Sequence, residues 1–225
     1  MKSLLVIPAL DEEATLPGLI EAARKHIPDV MVIDDGSTDA TCLVSAIAGA
    51  MVHRLKTNMG KGEALKTGFD YAIGEGYDWV LTMDADGQHS PDDIVNFLPA
   101  LDHYDLVLGN RMNDSANVPP VRRMANLFSS MLVSLLCGQR IRDSQTGFRA
   151  YRTRLLRELS LTCSRYDLET EVIIKAARNG FRIGHVNIQT IYADEVSRFR
   201  KFRDSSRVIA VLLKSLLYWP AGKRR

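Results

Sequence analysis

The 225-residue chain is poor in cysteine and has no long hydrophobic run. Its three cysteines, Cys42, Cys137 and Cys163, are far apart and odd in number, so they indicate neither a disulfide framework nor a metal-binding spacing. They favour a reducing compartment. No apolar stretch reaches the roughly 18 residues of a membrane-spanning helix, and the N-terminal run is too short for a signal peptide. We therefore expect a globular domain without a transmembrane helix and with its N-terminus retained in the fold.

Two nucleotide-binding motifs are missing as well. The segment Gly60-Lys61-Gly62 lacks the spacing of a P-loop, and the Gly-x-Gly-x-x-Gly dinucleotide fingerprint does not occur. The chain has no internal repeat and no low-complexity segment. Its 46% hydrophobic and 25% charged residues are ordinary for a globular protein. If a nucleotide binds, it is held by means other than these two motifs.

Strand-like apolar runs alternate with helix-like segments in the first half of the chain. The predicted strands are residues 4–7, 30–33, 51–53, 79–83 and 106–108, and the predicted helices are residues 12–26, 38–50, 60–74 and 91–101. Such alternation predicts βαβ units and a mostly parallel sheet flanked by helices. After residue 110 we predict helices at 122–137, 169–179 and 205–219, a polar turn at 143–150 and a strand at 181–192.

The most informative segment is Met83-Asp84-Ala85-Asp86-Gly87-Gln88-His89. It places two carboxylates, one residue apart, where a predicted strand leaves the sheet, and ligands of open α/β sheets bind at the carboxyl ends of strands. Paired aspartates there can hold a hard divalent cation that neutralises a diphosphate. A solvated acidic turn is the alternative, since Asp and Gly are ordinary turn residues. We expect the histidine of this segment to cap or pack rather than to bind a ligand.

Four further polar clusters fall at the ends of predicted strands or at the start of a helix. Together with the acidic segment they comprise residues 8–13, 34–39, 58–62, 84–89 and 109–111. Each cluster alone is a weak signal, because acidic turns cap helices routinely. The carboxyl ends of parallel strands share one edge of a sheet, so five clusters in register predict a nucleotide crevice there.

Charge is segregated along the chain. Residues 1–110 carry 7 Lys/Arg and 18 Asp/Glu, whereas residues 111–157 carry 9 Arg and 2 acids, and residues 196–225 carry 9 basic residues and 1 acid. This asymmetry predicts an anionic partner for the second half, with nucleic acid, a phosphorylated lipid and a membrane surface as candidates. Arginine favours bidentate phosphate contacts. A solvated basic face is the alternative.

These motifs resemble those of family 2 glycosyltransferases with a GT-A fold, and more narrowly those of the dolichol-phosphate mannose synthase and polyprenyl-phosphate glycosyltransferase group. The segments that carry the resemblance, in matching order, are residues 7–13, 32–39, 58–62, 84–89, 109–111 and 143–149. The resemblance implies a catalytic domain over residues 1–200, with a nucleotide-sugar and metal half at 1–110 and an acceptor half at 111–200. Residues 201–225 are expected to form a basic amphipathic helix and tail.

The resemblance also assigns roles to individual residues. It implies a nucleotide pocket lined by Pro8, Leu10, Glu12, Asp34 and Asp35, a metal site of Asp84, Asp86 and Gln88 for Mg²⁺ or Mn²⁺, and further cofactor contacts from Lys61, Ala85, Arg122, Arg149 and Arg198. The residues expected in catalysis are Asp86, Arg111, Asp143 and Glu171. Glu169 and Glu171 lie two residues apart and cannot share a helix face, so we expect one at the sugar site and the other in solvent.

The implied activity is inverting transfer of a hexose from a GDP- or UDP-hexose to a polyprenyl phosphate. An anionic acceptor needs no strong base, and basic residues would position it. We expect a peripheral protein at the cytoplasmic face of the membrane. It is expected to bind no nucleic acid, and a homo-oligomer is possible. One alternative is a hydroxyl acceptor, for which Asp143 or Glu171 would act as the base. Another is a non-catalytic nucleotide-sugar or nucleic-acid binder, which the intact Asp84/Asp86 pair argues against.

Overall fold

The structure, a computed structural model, describes residues 1–111, 120–189 and 191, with side chains between 120 and 123 excepted. The predicted appendage at 201–225 and Arg198 lie outside the described residues, and so does the side chain of Arg122. Among the described helices, none is long and apolar enough to cross a membrane.

A seven-stranded sheet forms the centre of the fold. Its strands are β1 (Ser3–Ala9), β2 (Val30–Asp34), β3 (Met51–Arg54), β4 (Trp79–Thr82), β5 (Leu106–Asn110), β6 (Arg149–Arg152) and β7 (Ile183–Asn187). They lie in the order β3-β2-β1-β4-β6-β5-β7. All neighbours are parallel except that β6 runs antiparallel to both β4 and β5. The predicted mostly parallel α/β sheet is confirmed.

Seven α-helices connect and cover these strands in the described chain. They are α1 (Leu16–Ala23), α2 (Thr41–Ile47), α3 (Lys61–Gly74), α4 (Ile94–Phe97), α5 (Pro120–Cys137), α6 (Thr153–Glu158) and α7 (Asp167–Arg178). Short 3-10 turns at Pro91–Asp93 and Leu98–Asp102 flank α4. The prediction of one continuous helix over residues 91–101 is therefore wrong. Proline interrupts helical hydrogen bonding in both turns. Helix α1 begins at Leu16 rather than residue 12, because residues 11–15 form a turn in which Asp11 has a positive φ of 51°.

The core lies on both faces of the sheet. Alternate residues of β1 point to opposite faces, so Leu4 and Val6 pack in one cluster while Leu5 and Ile7 pack in the other. The first cluster includes buried residues of α3 and α7, and the second includes those of α1 and α4. With both faces covered, the carboxyl edge of the parallel strands remains for the polar loops.

Strand β6 was not predicted, because its sequence Arg-Ala-Tyr-Arg has no apolar run. Residues 143–150 were assigned to a polar turn, yet Arg149 and Ala150 already belong to the strand. In the sheet, Leu81 of β4 faces Ala150, and Val107 of β5 faces the same alanine from the other side. The insertion of β6 between β4 and β5 brings the loop at 143–148 beside the end of β4.

Candidate active site

Three charged side chains from three elements meet at the carboxyl edge of the sheet. The ammonium Nζ of Lys61 lies 2.6 Å from Oδ1 of Asp84 and 3.1 Å from Oε2 of Glu169. Asp84 follows β4, Lys61 opens α3 and Glu169 lies in the first turn of α7. The side chains of Lys61 and Glu169 are 15% and 9% exposed, and that of Asp84 is 28% exposed. This Asp84–Lys61–Glu169 triad is the charged centre of the site.

Close packing at the start of α3 sets the position of Lys61. Gly60, at φ 100°, takes a backbone conformation that favours glycine, and a Cβ on Gly62 would clash with the backbone of Ser164 and Arg165. The Glu63 amide also donates to the Ser164 carbonyl at 3.0 Å. The segment that leads into α7 is thereby held against α3, which places Glu169 next to Lys61.

A glycine also makes room for the carboxylate of Asp84. A Cβ on Gly147 would overlap both carboxylate oxygens of Asp84, and the Gly147 carbonyl accepts a hydrogen bond from Thr82 Oγ1 at 2.8 Å. The loop before β6 therefore packs directly against the Asp84 carboxylate.

Asp84 and Lys61 are both charged at neutral pH. Burial raises the pKa of the Asp84 carboxyl, but the Lys61 ammonium outweighs this and holds that pKa at about 2. Burial likewise opposes the charge on Lys61, yet Asp84 and Glu169 raise its pKa overall. The site thus keeps the Asp84 carboxylate and the Lys61 ammonium in contact.

His89 is a buried neighbour of this triad. Its side chain is 2% exposed, its Nε2 lies 3.9 Å from Oδ2 of Asp84, and its ring packs 5.6 Å from the Phe148 ring. Burial lowers the pKa of His89 to about 4, so the ring is neutral at physiological pH. The packing role expected for His89 agrees with this environment. The sequence did not predict that His89 lies close to Asp84.

The acidic turn, residues 84–88, has a donor set that fits a hard divalent cation. Asp86 Oδ1 accepts the Gln88 amide at 3.1 Å across Gly87, whose φ is 70°. Among the described residues, no three His, Cys, Asp or Glu side chains cluster closely enough to hold a metal alone. The turn supplies carboxylate and amide oxygens, which Mg²⁺ and Mn²⁺ prefer, and a bound diphosphate would complete the shell. The carboxylate of Asp84 already attracts one cation, the ammonium of Lys61.

Arg111 and Asp143 form a bidentate ion pair beyond the end of β5. The guanidinium Nε and Nη2 donate to the two carboxylate oxygens at 2.8 and 3.1 Å, and Asp143 is fully buried. Burial raises the pKa of Asp143, but Arg111 outweighs it and holds the pKa below its usual range. A carboxylate so engaged is a poor proton acceptor, so the structure argues against Asp143 as the base for a hydroxyl acceptor.

The prediction that Arg149 meets an acceptor phosphate is wrong. Its side chain is 0% exposed, and the guanidinium donates to the backbone carbonyls of Thr146, Glu169 and Ser144 at 2.7, 2.7 and 3.0 Å. Arg149 is a structural residue that ties the loop before β6 to the first turn of α7.

The prediction that Glu171 lines the sugar site is wrong as well. The Glu171 carboxylate is fully buried and accepts hydrogen bonds from the backbone of Thr162 and Cys163 and from Lys175 Nζ. Glu169 takes the place beside Lys61 instead, and neither glutamate is solvated. One oxygen of Glu169, Oε1, is buried without a hydrogen-bond partner among the described residues. The two-residue offset on α7 puts the glutamates on different faces, but the offset alone does not identify which face meets Lys61.

The predicted nucleotide-pocket residues divide into two groups. Pro8, Leu10 and Glu12 lie at the end of β1 and in the turn after it, where Thr15 Oγ1 lies 3.2 Å from Glu12 Oε2. The Thr15 hydroxyl donates to the Ala85 carbonyl at 2.8 Å, which joins this turn to the acidic turn. These residues therefore border the triad.

The two aspartates after β2 shape the wall of the crevice. Asp34 is 0% exposed and accepts the Ser37 amide at 2.8 Å, which leaves no face for a ribose hydroxyl and contradicts its predicted contact. Asp35 accepts the amides of Met59 and Gly60 at 2.7 and 2.9 Å. A contact between Asp35 and the nucleotide stays a prediction.

The fold and this edge define a nucleotide-sugar-type α/β domain of the GT-A class. The sequence profile of glycosyl transferase family 2 matches residues 4–160, and the chain belongs to that family. The predicted GT-A fold and family membership are thereby confirmed.

Relatives with assigned activities narrow the resemblance. The chain is 32% identical over 215 residues to the UDP-N-acetylglucosamine–dolichyl-phosphate N-acetylglucosaminyltransferase of Methanococcus voltae, covering 84% of this chain and 86% of the relative. It is 33% identical over 201 residues to the undecaprenyl-phosphate mannosyltransferase of Micrococcus luteus, covering 84% and 83%. Glucosyl-3-phosphoglycerate synthase of Mycobacterium tuberculosis, crystallised with Mn²⁺, UDP and phosphoglyceric acid, shares the fold with a TM-score of 0.77 at 22% identity, over 95% of this chain and 78% of that chain. The predicted similarity to polyprenyl-phosphate sugar transferases is confirmed.

Proposed function

We propose that this protein transfers a hexose, with inversion, from a nucleotide-diphosphosugar to a polyprenyl phosphate. The observation that carries the proposal is the similarity, over more than four-fifths of both chains, to enzymes named for dolichyl and undecaprenyl phosphate acceptors. The donor is a UDP- or GDP-hexose. The triad and acidic turn at the sheet edge supply the charges that such a donor requires.

Asp84, Asp86 and Gln88 of the acidic turn would hold Mg²⁺ or Mn²⁺ next to the donor diphosphate. When bound, such an ion would supply positive charge against the negative charge that builds up on the departing nucleotide diphosphate. Lys61 supplies a second positive charge at the same place, and the Glu169 carboxylate beside it would accept a hydrogen bond from a hydroxyl of the sugar. The turn at Pro8, Leu10 and Glu12 borders the nucleoside.

The acceptor phosphate is already an anion, so this transfer needs no general base. This agrees with the Arg111–Asp143 pair, in which the carboxylate is bound to a guanidinium instead of facing the site. Arg111 is 20% exposed and lies one residue beyond β5. We assign the acceptor phosphate to this arginine because of its charge and its position at the end of β5, with Arg122 and Arg198 as further proposed phosphate contacts.

Contact with the membrane is proposed through α5. Its exposed apolar side chains are Met124, Leu127, Phe128, Met131 and Leu135, at 71, 48, 59, 51 and 72% exposure. They recur at helical spacing and form one apolar stripe, as expected of a helix that lies in a bilayer surface. We place the protein at the cytoplasmic face, where nucleotide sugars and prenyl phosphates meet.

The proposal is tested by incubating the full chain with a panel of UDP- and GDP-sugars and a short polyprenyl phosphate, with and without EDTA. We expect a glycolipid from one donor, lost with EDTA and restored by excess Mn²⁺. Asp86→Asn should lose activity, while Asp92→Asn, a change at an exposed carboxylate paired with His26, should not. Glycosylation of a hydroxyl acceptor but not of prenyl phosphate, or full activity in EDTA, would contradict the proposal.

A further inference from the structure

A groove of about 460 Å³ lies beside the candidate site, between α5 and the segment that follows it. It is lined by Asn110, Leu127, Ser130, Met131, Ser134, Arg140, Ile141 and Arg142. None of these residues belongs to the triad or to the acidic turn. The groove is therefore a separate feature with its own chemistry.

Specific contacts hold the walls of the groove in place. Ile141 is buried and its amide donates to Ser134 Oγ at 2.8 Å, while the Ser134 hydroxyl donates to the Ser130 carbonyl of α5 at 2.6 Å. The next amide, that of Arg142, donates to Nε2 of His185 on β7 at 3.2 Å. Burial lowers the pKa of His185 to about 4, so this ring stays neutral and accepts the bond. The segment is thus fastened to both α5 and the sheet.

The two sides of the groove differ in character. Leu127 and Met131, one helical turn apart on α5, form an apolar wall. Arg140 and Arg142 form a cationic rim, are exposed, and pair with no carboxylate in the part of the chain that the structure describes. An apolar wall under two available guanidinium groups complements an amphipathic anion.

Two lining residues of the groove are direct chain neighbours of residues in the candidate site. Asn110 is the last residue of β5 and directly precedes Arg111. Arg142 directly precedes Asp143, the partner of Arg111. Leu127 and Met131 of the apolar wall also belong to the exposed stripe of α5. An elongated ligand in the groove would have its head at the site and its tail at the proposed membrane face.

We propose that this groove binds the acceptor, with its phosphate held at Arg140 and Arg142 and its first isoprene units against Leu127 and Met131. The proposal rests on the proposed function and adds a location for the acceptor. Arg149 is buried by its contacts with backbone carbonyls, so Arg140 and Arg142 supply counter-charge to the acceptor phosphate in addition to the contact proposed for Arg111.

The test measures binding of a soluble 15-carbon prenyl phosphate to the full chain by calorimetry, without membranes. Arg140→Gln/Arg142→Gln and Met131→Glu are each expected to weaken binding by about tenfold or more, since one removes charge and the other removes apolar contact. Arg154→Gln is the matched control, because Arg154 is exposed on α6 and pairs only locally with Glu158. Affinity for the donor nucleotide should stay unchanged in all variants, which verifies that they fold.

Two comparison ligands identify what the groove recognises. Inorganic phosphate and the corresponding prenol should each bind far more weakly than the prenyl phosphate. Inorganic phosphate lacks the isoprene chain, and the prenol lacks the phosphate. Wild-type affinity in both groove variants would overturn the location while leaving the proposed function intact. If the wild-type chain binds no prenyl phosphate at all, both proposals fail.

Discussion

Lys61 is predicted to stabilise the fold through its contacts with two carboxylates. Replacing it with methionine keeps the apolar stem and removes the ammonium, so Asp84 and Glu169 lose the cation that they share. At 2.6 Å and an effective dielectric constant of about 20, one such contact is worth about 6 kcal/mol of Coulomb energy. The desolvation cost of burying Lys61 offsets part of this energy. We therefore expect Lys61→Met to lower the free energy of unfolding by about 3 kcal/mol.

The pH dependence of this loss has a definite sign. The folded-state pKa of Asp84 lies at about 2, below its ordinary value of 3.8, so the carboxylate contributes stability above about pH 4 and loses it as the pH falls toward 2. The difference between wild type and Lys61→Met should therefore be full at pH 7 and shrink below pH 4. Urea unfolding at several pH values measures it.

A metal and a matched variant make the test specific. Mn²⁺ should stabilise Lys61→Met more than wild type, because the ion takes the place of the missing ammonium. Lys66→Met is the control, since Lys66 pairs with Glu63 on the same helix at 2.6 Å but near the surface, where such pairs contribute about 1 kcal/mol or less. Equal losses in the two variants, or equal stabilisation by Mn²⁺, would refute the reasoning.

Four further variants test the contacts described above. Arg149→Leu should lower the free energy of unfolding by about 3 kcal/mol or more, because three backbone carbonyls lose their donor, and leave the acceptor KM unchanged; denaturation and steady-state kinetics test this. Glu171→Gln should destabilise the protein, whereas Glu169→Gln should mainly lower the transfer rate, and a reversal in the same assays would contradict their placement. Gly147→Ala should weaken Mn²⁺ binding measured by electron paramagnetic resonance, because its methyl group meets the acidic turn, while Gly74→Ala, with open space around it, should not.

The strands and the polar edge could be predicted from the sequence because their signals are local. Each parallel strand is a short apolar run, and each polar cluster follows directly in the chain, so the position of the Asp84 turn required no knowledge of packing. The family resemblance added the order of the clusters. Helix ends were less accurate, as for α1, whose first predicted residues form a turn instead.

The errors concern residues whose orientation depends on distant contacts. Glu169 and Glu171 are equivalent in a linear sequence, and the packing of α7 against α3 decides which one meets Lys61. Arg149 carries the charge expected of a phosphate ligand, but it lies in a strand whose neighbours bury it completely. No local pattern signals a buried arginine whose partners are backbone carbonyls.

The antiparallel strand β6 has a consequence for how the chain can be divided. Strands β4 and β5 are not neighbours, and each pairs with β6, which comes about 40 residues later in the chain. A fragment ending at residue 110 would leave β4 as an open edge with the apolar residues Trp79, Val80 and Leu81 unpaired, and such edges promote aggregation. Residues 1–110 and strand β6 therefore belong to a single folding unit, and a fragment ending at residue 110 is not expected to be soluble.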